Sequence, residues 1–335
     1  MSIHPWHAGA WAQLNTTRSR WPHALLLTGP QGIGKVAFAK QVVASLLCEH
    51  QQPDHQPCGQ CDACHWLANH SHPDFRELTL LEDEDGDDET KSKKAPTQIS
   101  IKQVRELTDF VNVTSHRQGS RITLLHPAEA MNGAAANALL KTLEEPPPGA
   151  LFILVSHQPQ RLLPTIRSRC RVFTLAAPST DEATRWLAAQ GVEAPEQALA
   201  QAGYAPLLAL SLADPALQAE RRSFTAALAE PQRLDPLHLA DIWQKTDILK
   251  IVDWLQKWHY DLLSCQLSGI IRYHPERKTE IERLARPADP LRLNEFGKQL
   301  MDARRLAHHP LNPRLVLEQL FFAYIDTLKK QTNHG

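Results

Sequence analysis

The sequence predicts an α/β fold: a parallel sheet flanked by helices in the first half of the chain, then a small helical domain and a larger all-α one. Three observations predict it. The segments His23 to Thr28 and Leu151 to Val155 carry short continuous apolar runs, as strands buried on both faces do, and Arg121 to Leu125 reads as a further strand. Helical periodicity lies between them, the order that builds a parallel sheet. Beyond about Asp214 no such run returns, and apolar residues recur at every third or fourth position.

The length of 335 residues allows two or three domains, and an apolar fraction of 42% suffices for ordinary cores. The N-terminus has no basic segment leading into an apolar core, and no apolar run reaches the roughly 18 residues a membrane helix needs. Neither export nor membrane insertion is expected, and the chain reads as cytoplasmic. With 36 basic and 37 acidic residues, net charge offers no general attraction for nucleic acid. Six cysteines without an export signal suggest reduced thiols or a metal site rather than disulfides.

Taken in order, the strand from His23 to Thr28 runs directly into GPQGIGK, Gly29 to Lys35, and a helix pattern continues through Phe38, Val42, Val43, Leu46 and Leu47. In that setting a G-x-x-x-x-G-K match becomes a P-loop, because loop amides and a helix N-terminus converge on one anion site. Gly29, Gly32, Gly34 and Lys35 are the candidate phosphate ligands. The loop is degenerate, however. Val36 stands where Ser or Thr would offer a hydroxyl to Mg²⁺. ATP binding by this chain is therefore left open between nucleotide held without metal and an empty loop.

Cys48, Cys58, Cys61 and Cys64 follow with overlapping C-x-x-C steps. Two such steps bring soft ligands onto one tetrahedral ion, and this polar segment has too few apolar residues to bury free thiols. The expectation is a structural zinc, since four cysteines leave no open position for water. His50, His55 and His65 are nearby substitutes, read as solvated loop residues. The acidic block EDEDGDDE, within residues 82–95, repels itself and is expected to be a disordered surface loop. Helical spacing resumes at Ile101, Val104, Leu107, Phe110 and Val111, with Ser100 as N-cap.

After the strand at Arg121 comes NALLKTLEEPPPGALFILVSHQPQRLLPTIRSRC, from Asn137 to Cys170. Its helix ends near Glu145 because Pro146 to Pro148 cannot continue it, and a buried strand follows. The helix ending in LEEPP, the strand and the Ser168-Arg169-Cys170 triplet resemble the AAA+ ATPase subunits of DNA polymerase clamp loaders. The P-loop domain with the cysteine module after its first helix resembles the bacterial members of that family.

The resemblance implies a role for each landmark. Arg169, with Ser168 and Cys170, matches an arginine finger that reaches ATP held by a neighbouring subunit; read plainly, it is a surface ion pair worth under about 1 kcal/mol. A planar, always charged fork suits the finger role. Ser156 stands at the family's sensor position, although a serine at a strand end usually satisfies backbone. Catalytic members need an Asp and a Glu after the strand at Leu125, where His126 and Pro127 stand. Glu129 is read as complementing the dipole of the next helix, and Lys141 as solvated.

Residues 1–177 then form the AAA+ domain with its zinc module at 48–64, residues 178–213 a helical lid, and residues 214–335 a collar. In the lid, Gly203 is followed by Tyr204, Ala205 and Pro206, with no sensor arginine. In the collar, Ile248, Ile251, Leu255, Trp258 and Leu262 form one apolar stripe and Leu317, Leu320, Phe321, Tyr324 and Leu328 another, with Cys265 as a core thiol.

Lacking the Mg²⁺ hydroxyl, both acids and the lid arginine, the chain is expected not to hydrolyse ATP by itself. It is expected instead to be a stator in the DNA polymerase III clamp loader, part of a nucleotidyltransferase holoenzyme active in DNA replication. The implied partners are gamma/tau ATPase subunits and a delta subunit in a ring of five, with the sliding clamp and primed DNA reached through the complex. One alternative is an active ATPase of the gamma/tau type, which Lys35 and SRC allow but Val36, His126 and Pro127 oppose. Another is a nucleotide-binding or zinc-dependent DNA-binding module acting alone, which neutral charge opposes.

Overall fold

A computed structural model describes residues 3–18, 21–80, 98–113, 120–307 and 312–329. The acidic block lies outside the described residues. The chain divides into two compact units, Met1–Ser179 and Thr180–Gly335.

The first unit is built on a five-stranded parallel sheet in the order β2-β3-β4-β1-β5. Its strands are β1 (Ala24–Thr28), β2 (Phe75–Leu78), β3 (Arg121–Leu125), β4 (Ala150–Val155) and β5 (Arg171–Thr174). All residues of β1, β3 and β4 are buried, including Arg121 and Thr123 of β3, as in strands covered on both faces. Because successive side chains point to opposite faces, Leu25 and Leu27 join one core and Leu26 the other.

The Leu25 side is covered by α1 (Ala8–Thr16) and α2 (Lys35–Leu47), through Trp11, Leu14, Phe38 and Val42. The Leu26 side is covered by α4 (Ile101–Asn112), α5 (Gly133–Glu144) and α6 (Pro164–Arg169), through Leu107, Leu139, Leu143 and Ile166. A short α3 (Asp62–Ala68) carries the end of the cysteine segment. Ser100 caps α4 in a reciprocal capping box with Gln103, and Glu145 is the C-cap of α5, as the proline run demands.

The second unit is helical, and its buried apolar residues form separate clusters. One lies among α7 (Thr180–Ala189), α8 (Pro195–Gln201) and α9 (Pro206–Ser211). The larger one joins α10 (Pro215–Ala229), α11 (Pro236–Trp243), α12 (Ile248–Ser268), α13 (Lys278–Ala285), α14 (Pro290–Leu306) and α15 (Pro313–Leu328). Both predicted stripes lie in this cluster: Ile251, Leu255, Trp258 and Leu262 from α12, and Leu317, Leu320, Phe321 and Tyr324 from α15, are buried. Asp214, Asp235, Asp289 and Asn312 cap α10, α11, α14 and α15, each followed by proline at the first helical position. Cys265, in the last turn of α12, is half-buried and packs against the edge of this core rather than lying inside it.

Candidate functional site

The C-terminal ends of β1, β3 and β4 lie side by side and carry the phosphate loop, His126 and Ser156, so the topology gathers the predicted nucleotide residues at one edge. Gly29, Gly32 and Gly34 all have positive φ, at 142°, 75° and 93°. Space as well as conformation demands glycine here: a side chain on Gly29 would strike the Leu175 carbonyl, and one on Gly34 the His4 ring.

That His4 contact belongs to a cover absent from the sequence analysis. The N-terminal turn Pro5–His7 lies against the loop, with Trp6 Nε1 donating to the Ile33 carbonyl at 2.9 Å and stacked on His4 at 4.7 Å. His7 is 1% exposed, sits edge-on to Phe38, and has no hydrogen-bond partner for either ring nitrogen. Burial, then the charges of His4 and Lys35, holds its pKa at about 4. Lys35 is 2% exposed and points its ammonium back into its own loop, donating to the carbonyls of Gly29, at 2.7 Å, and Pro30. Burial lowers its pKa to about 8 against the opposing pull of Glu129. The only sequence signal for this cover was the aromatic density of His4-Pro5-Trp6-His7.

The positions expected for metal-binding acids do different work. His126 Nε2 lies 2.7 Å from Glu77, which also pairs with Lys40 at 2.8 Å. Burial alone would raise the Glu77 pKa, but His126 and Lys40 outweigh it and hold it at about 2. Glu129 does not serve the dipole of α5, which starts at Gly133 behind its own cap, Asn132. It sits in a separate turn, Ala128–Ala130, and accepts from the backbone N–H groups of His157 and Gln158 at 2.9 and 3.1 Å, tying the β3 end to the β4 end. Ser156 is fully buried, and its hydroxyl accepts from Gln158 N–H at 3.2 Å, the ordinary backbone use of a serine. Tyr204, which follows Gly203, packs under the Arg272 guanidinium, 5.4 Å from its ring centre.

The SRC triplet separates by environment. Cys170 is buried in the core, where desolvation raises its pKa to about 12. Ser168 donates to the Thr165 carbonyl at 3.0 Å within α6. Arg169 ends α6 with its side chain 34% exposed, donating to the Thr165 carbonyl at 3.1 Å and paired with Glu144 at 2.7 Å. Glu144 is the first acid of LEEPP, so two motifs separated in sequence meet in space.

The four predicted cysteines also meet. Cys48 caps the end of α2, Cys61 the start of α3, and the sulfurs of Cys48, Cys58, Cys61 and Cys64 lie within 4.8 Å of one another. The Cys48 and Cys61 sulfurs are 3.9 Å apart; zinc bound to four sulfurs at about 2.3 Å needs pairs separated by roughly 3.8 Å. Backbone N–H groups of Gln60 and Cys61 point at Cys58 and lower its pKa to about 6. The local apolar core consists of Cys48, Cys61 and Ala63, too little to hold the segment without a cation. Donor set and spacing therefore fit zinc. His50 groups with Glu49 and Cys61 beside the same site.

The family model described as DNA polymerase III, delta subunit, matches residues 9–179, and the one described as DNA polymerase III, delta subunit, C terminal, matches residues 215–324. The DNA polymerase III subunit delta-prime of Pseudomonas aeruginosa is 38% identical over 272 residues, 79% of this chain and 79% of that one. The delta-prime subunit of Yersinia pestis is 32% identical over 346 aligned positions, covering 99% and 98%. The tau subunit of Bacillus subtilis is 31% identical over 156 residues, 47% of this chain but 25% of tau. The Yersinia pestis delta-prime match thus spans both units, whereas the tau match covers about half of the chain, and the delta-prime role fits better than the gamma/tau alternative. The chain belongs to the DNA polymerase III delta-prime subunit family.

Proposed function

We propose that this chain is the non-hydrolysing stator of a clamp loader and supplies Arg169 in trans to ATP bound by an adjacent gamma/tau subunit. One contrast carries the reading: Lys35 is turned into its own loop, while Arg169 stands at the surface. Without a metal hydroxyl at Val36 or acids at 126 and 127, residues here cannot complete a phosphoryl-transfer site. A guanidinium with unused N–H donors can complete someone else's. ATP binding to this chain is disfavoured by the cover of His4 and Trp6 over the loop.

Residues 180–212 act as the lid and the helices from Pro215 onward as the collar that joins the delta and gamma/tau subunits in a ring of five. Their separate apolar clusters support that division. The assembly opens the sliding clamp and loads it on primed DNA in the cytoplasm; among the described residues no helix is long and apolar enough to cross a membrane. Zinc held by Cys48, Cys58, Cys61 and Cys64 is structural, since four protein ligands leave no open position.

The test is DNA-stimulated ATP turnover by the reconstituted complex with Arg169→Ala or Lys35→Ala in this subunit. Loss with the first and little change with the second supports the stator. The reverse pattern would make this chain a working ATPase subunit.

A further inference from the structure

The strip from the turn at Pro159–Arg161 through β5 carries Arg161, Arg167, Arg169 and Arg171. Among the described residues, Arg169 alone of these pairs with a carboxylate, and that carboxylate is Glu144. Arg167, two positions earlier, is exposed with no such partner. Arg161 has only a long hydrogen bond to the Gln158 side chain, at 3.4 Å, so among the described residues the fold holds one guanidinium of the four in an ion pair. An ion pair with side chains 34% and 44% exposed adds little to folding stability, so its geometric consequence outweighs its energetic one.

We propose that Glu144 is a positioning residue for Arg169, holding the guanidinium in the orientation from which it reaches the neighbouring subunit's triphosphate. The inference rests on the trans-finger reading and adds a second residue to it. Arg169 has five N–H donors in a rigid plane. One Nη is directed to the Thr165 carbonyl in the first turn of its own helix, α6, the other to Glu144 at the end of α5. Two anchors from two helices fix the plane as well as the position of the group, and the remaining donors stay available to phosphate oxygens. A freely rotating arginine would have to lose its rotamer freedom at each encounter; a tethered one has lost it on folding. The anchor itself is fixed by sequence: α5 must stop at Pro146, which places Glu144 in its last turn beside α6.

The experiment uses the reconstituted clamp loader with Glu144→Ala, Glu144→Gln, Glu145→Ala, Arg169→Ala and the Glu144→Ala/Arg169→Ala pair in this subunit. It reads DNA-stimulated kcat and KM for ATP, with the thermal midpoint of each variant measured alone. Glu144→Ala is expected to lower kcat about tenfold with KM nearly unchanged, because orientation rather than binding is lost. Glu144→Gln keeps an oxygen acceptor for the guanidinium and should recover most of that rate. Glu145→Ala, which removes the same charge one residue away, should match wild type. The double variant should be no slower than Arg169→Ala, the signature of residues acting as one unit.

A Glu144→Ala complex as fast as wild type, or faster, overturns the proposal while leaving the finger standing if Arg169→Ala is slow. A double variant slower than Arg169→Ala by the full Glu144 factor also overturns it, since Glu144 would then act independently. If Arg169→Ala itself keeps full turnover, the finger reading falls and the positioning role with it.

Discussion

The phosphate loop and the end of α6 each present a cation at a helix terminus, and the fold treats them in opposite ways. Lys35 opens α2 but is 2% exposed, with its ammonium on the carbonyls of Gly29 and Pro30. Arg169 closes α6 with a third of its side chain in solvent and a carboxylate from a second helix alongside. The residues that would give the lysine a metal ion to work with are replaced by Val36, His126 and Pro127. The comparison teaches that a motif locates a charge, but what covers that charge decides whether anything else can reach it.

Altering the two cations should give the largest difference between the two regions. An arginine finger contributes about 10³- to 10⁵-fold at the site it serves, so Arg169→Ala should nearly silence the adjacent ATP site in single-turnover measurements on the assembled complex. Arg169→Lys, which keeps charge but loses the planar fork, should recover only a small part. Lys35→Ala should change the same rate by less than about twofold, since an ammonium already committed to backbone has little to give a phosphate.

A second, smaller difference should follow from zinc removal. The cysteine cluster anchors the far end of α2 through Cys48, whereas α5 and α6 rest on the other face of the sheet. Chelation should raise amide hydrogen exchange across residues 48–64 and the last turn of α2 and spare the amides around Arg169. Metal analysis of the untreated protein should find about one zinc per chain, matching one four-cysteine site; its absence would sink this account of the segment.

The cover over the loop should also respond to pH. Burial holds His7 at about 4 in the folded chain, against an ordinary value of 6.5. A freed His7 therefore takes up a proton first, and the stability of the docked turn is full above about pH 6.5 and declines as pH falls toward 4. Exchange at residues 29–35 should rise over that window, and His7→Phe should flatten the response. If wild type and His7→Phe respond alike, another group controls the cover.

The smallest expected effect is none. Restoring Thr at 36, Asp at 126 and Glu at 127 should yield no phosphate release from the isolated chain, because His4 and Trp6 still lie on the loop and the arginine that completes such a site is absent. Turnover by that triple variant would show that the cover is no barrier.

Much of this architecture was readable in advance because it depends on local patterns. Unbroken apolar runs marked β1 and β4, and the proline run after Glu145 ended α5 within a residue. Ser100 was legible as a cap because capping is settled within one turn. The aspartate-proline pairs opening α10, α11 and α14 carried the same kind of information and passed unread. Glu129 was misplaced because its partners are the amides of His157 and Gln158, distant in sequence and unmarked by any spacing.

By itself the sequence determined the chemical inventory: a glycine loop without its metal-binding hydroxyl, four cysteines at zinc spacing, and an arginine placed where α6 ends. Those features are written in residue types and short intervals, which the chain carries whether folded or not. The tertiary structure decided which groups are available. It laid His4, Trp6 and His7 over the loop, turned Lys35 inward, and brought Glu144 to Arg169 across 25 positions of chain. Availability depends on packing and long-range contact, and these come into being only when α1, α2, α5 and α6 close on the sheet.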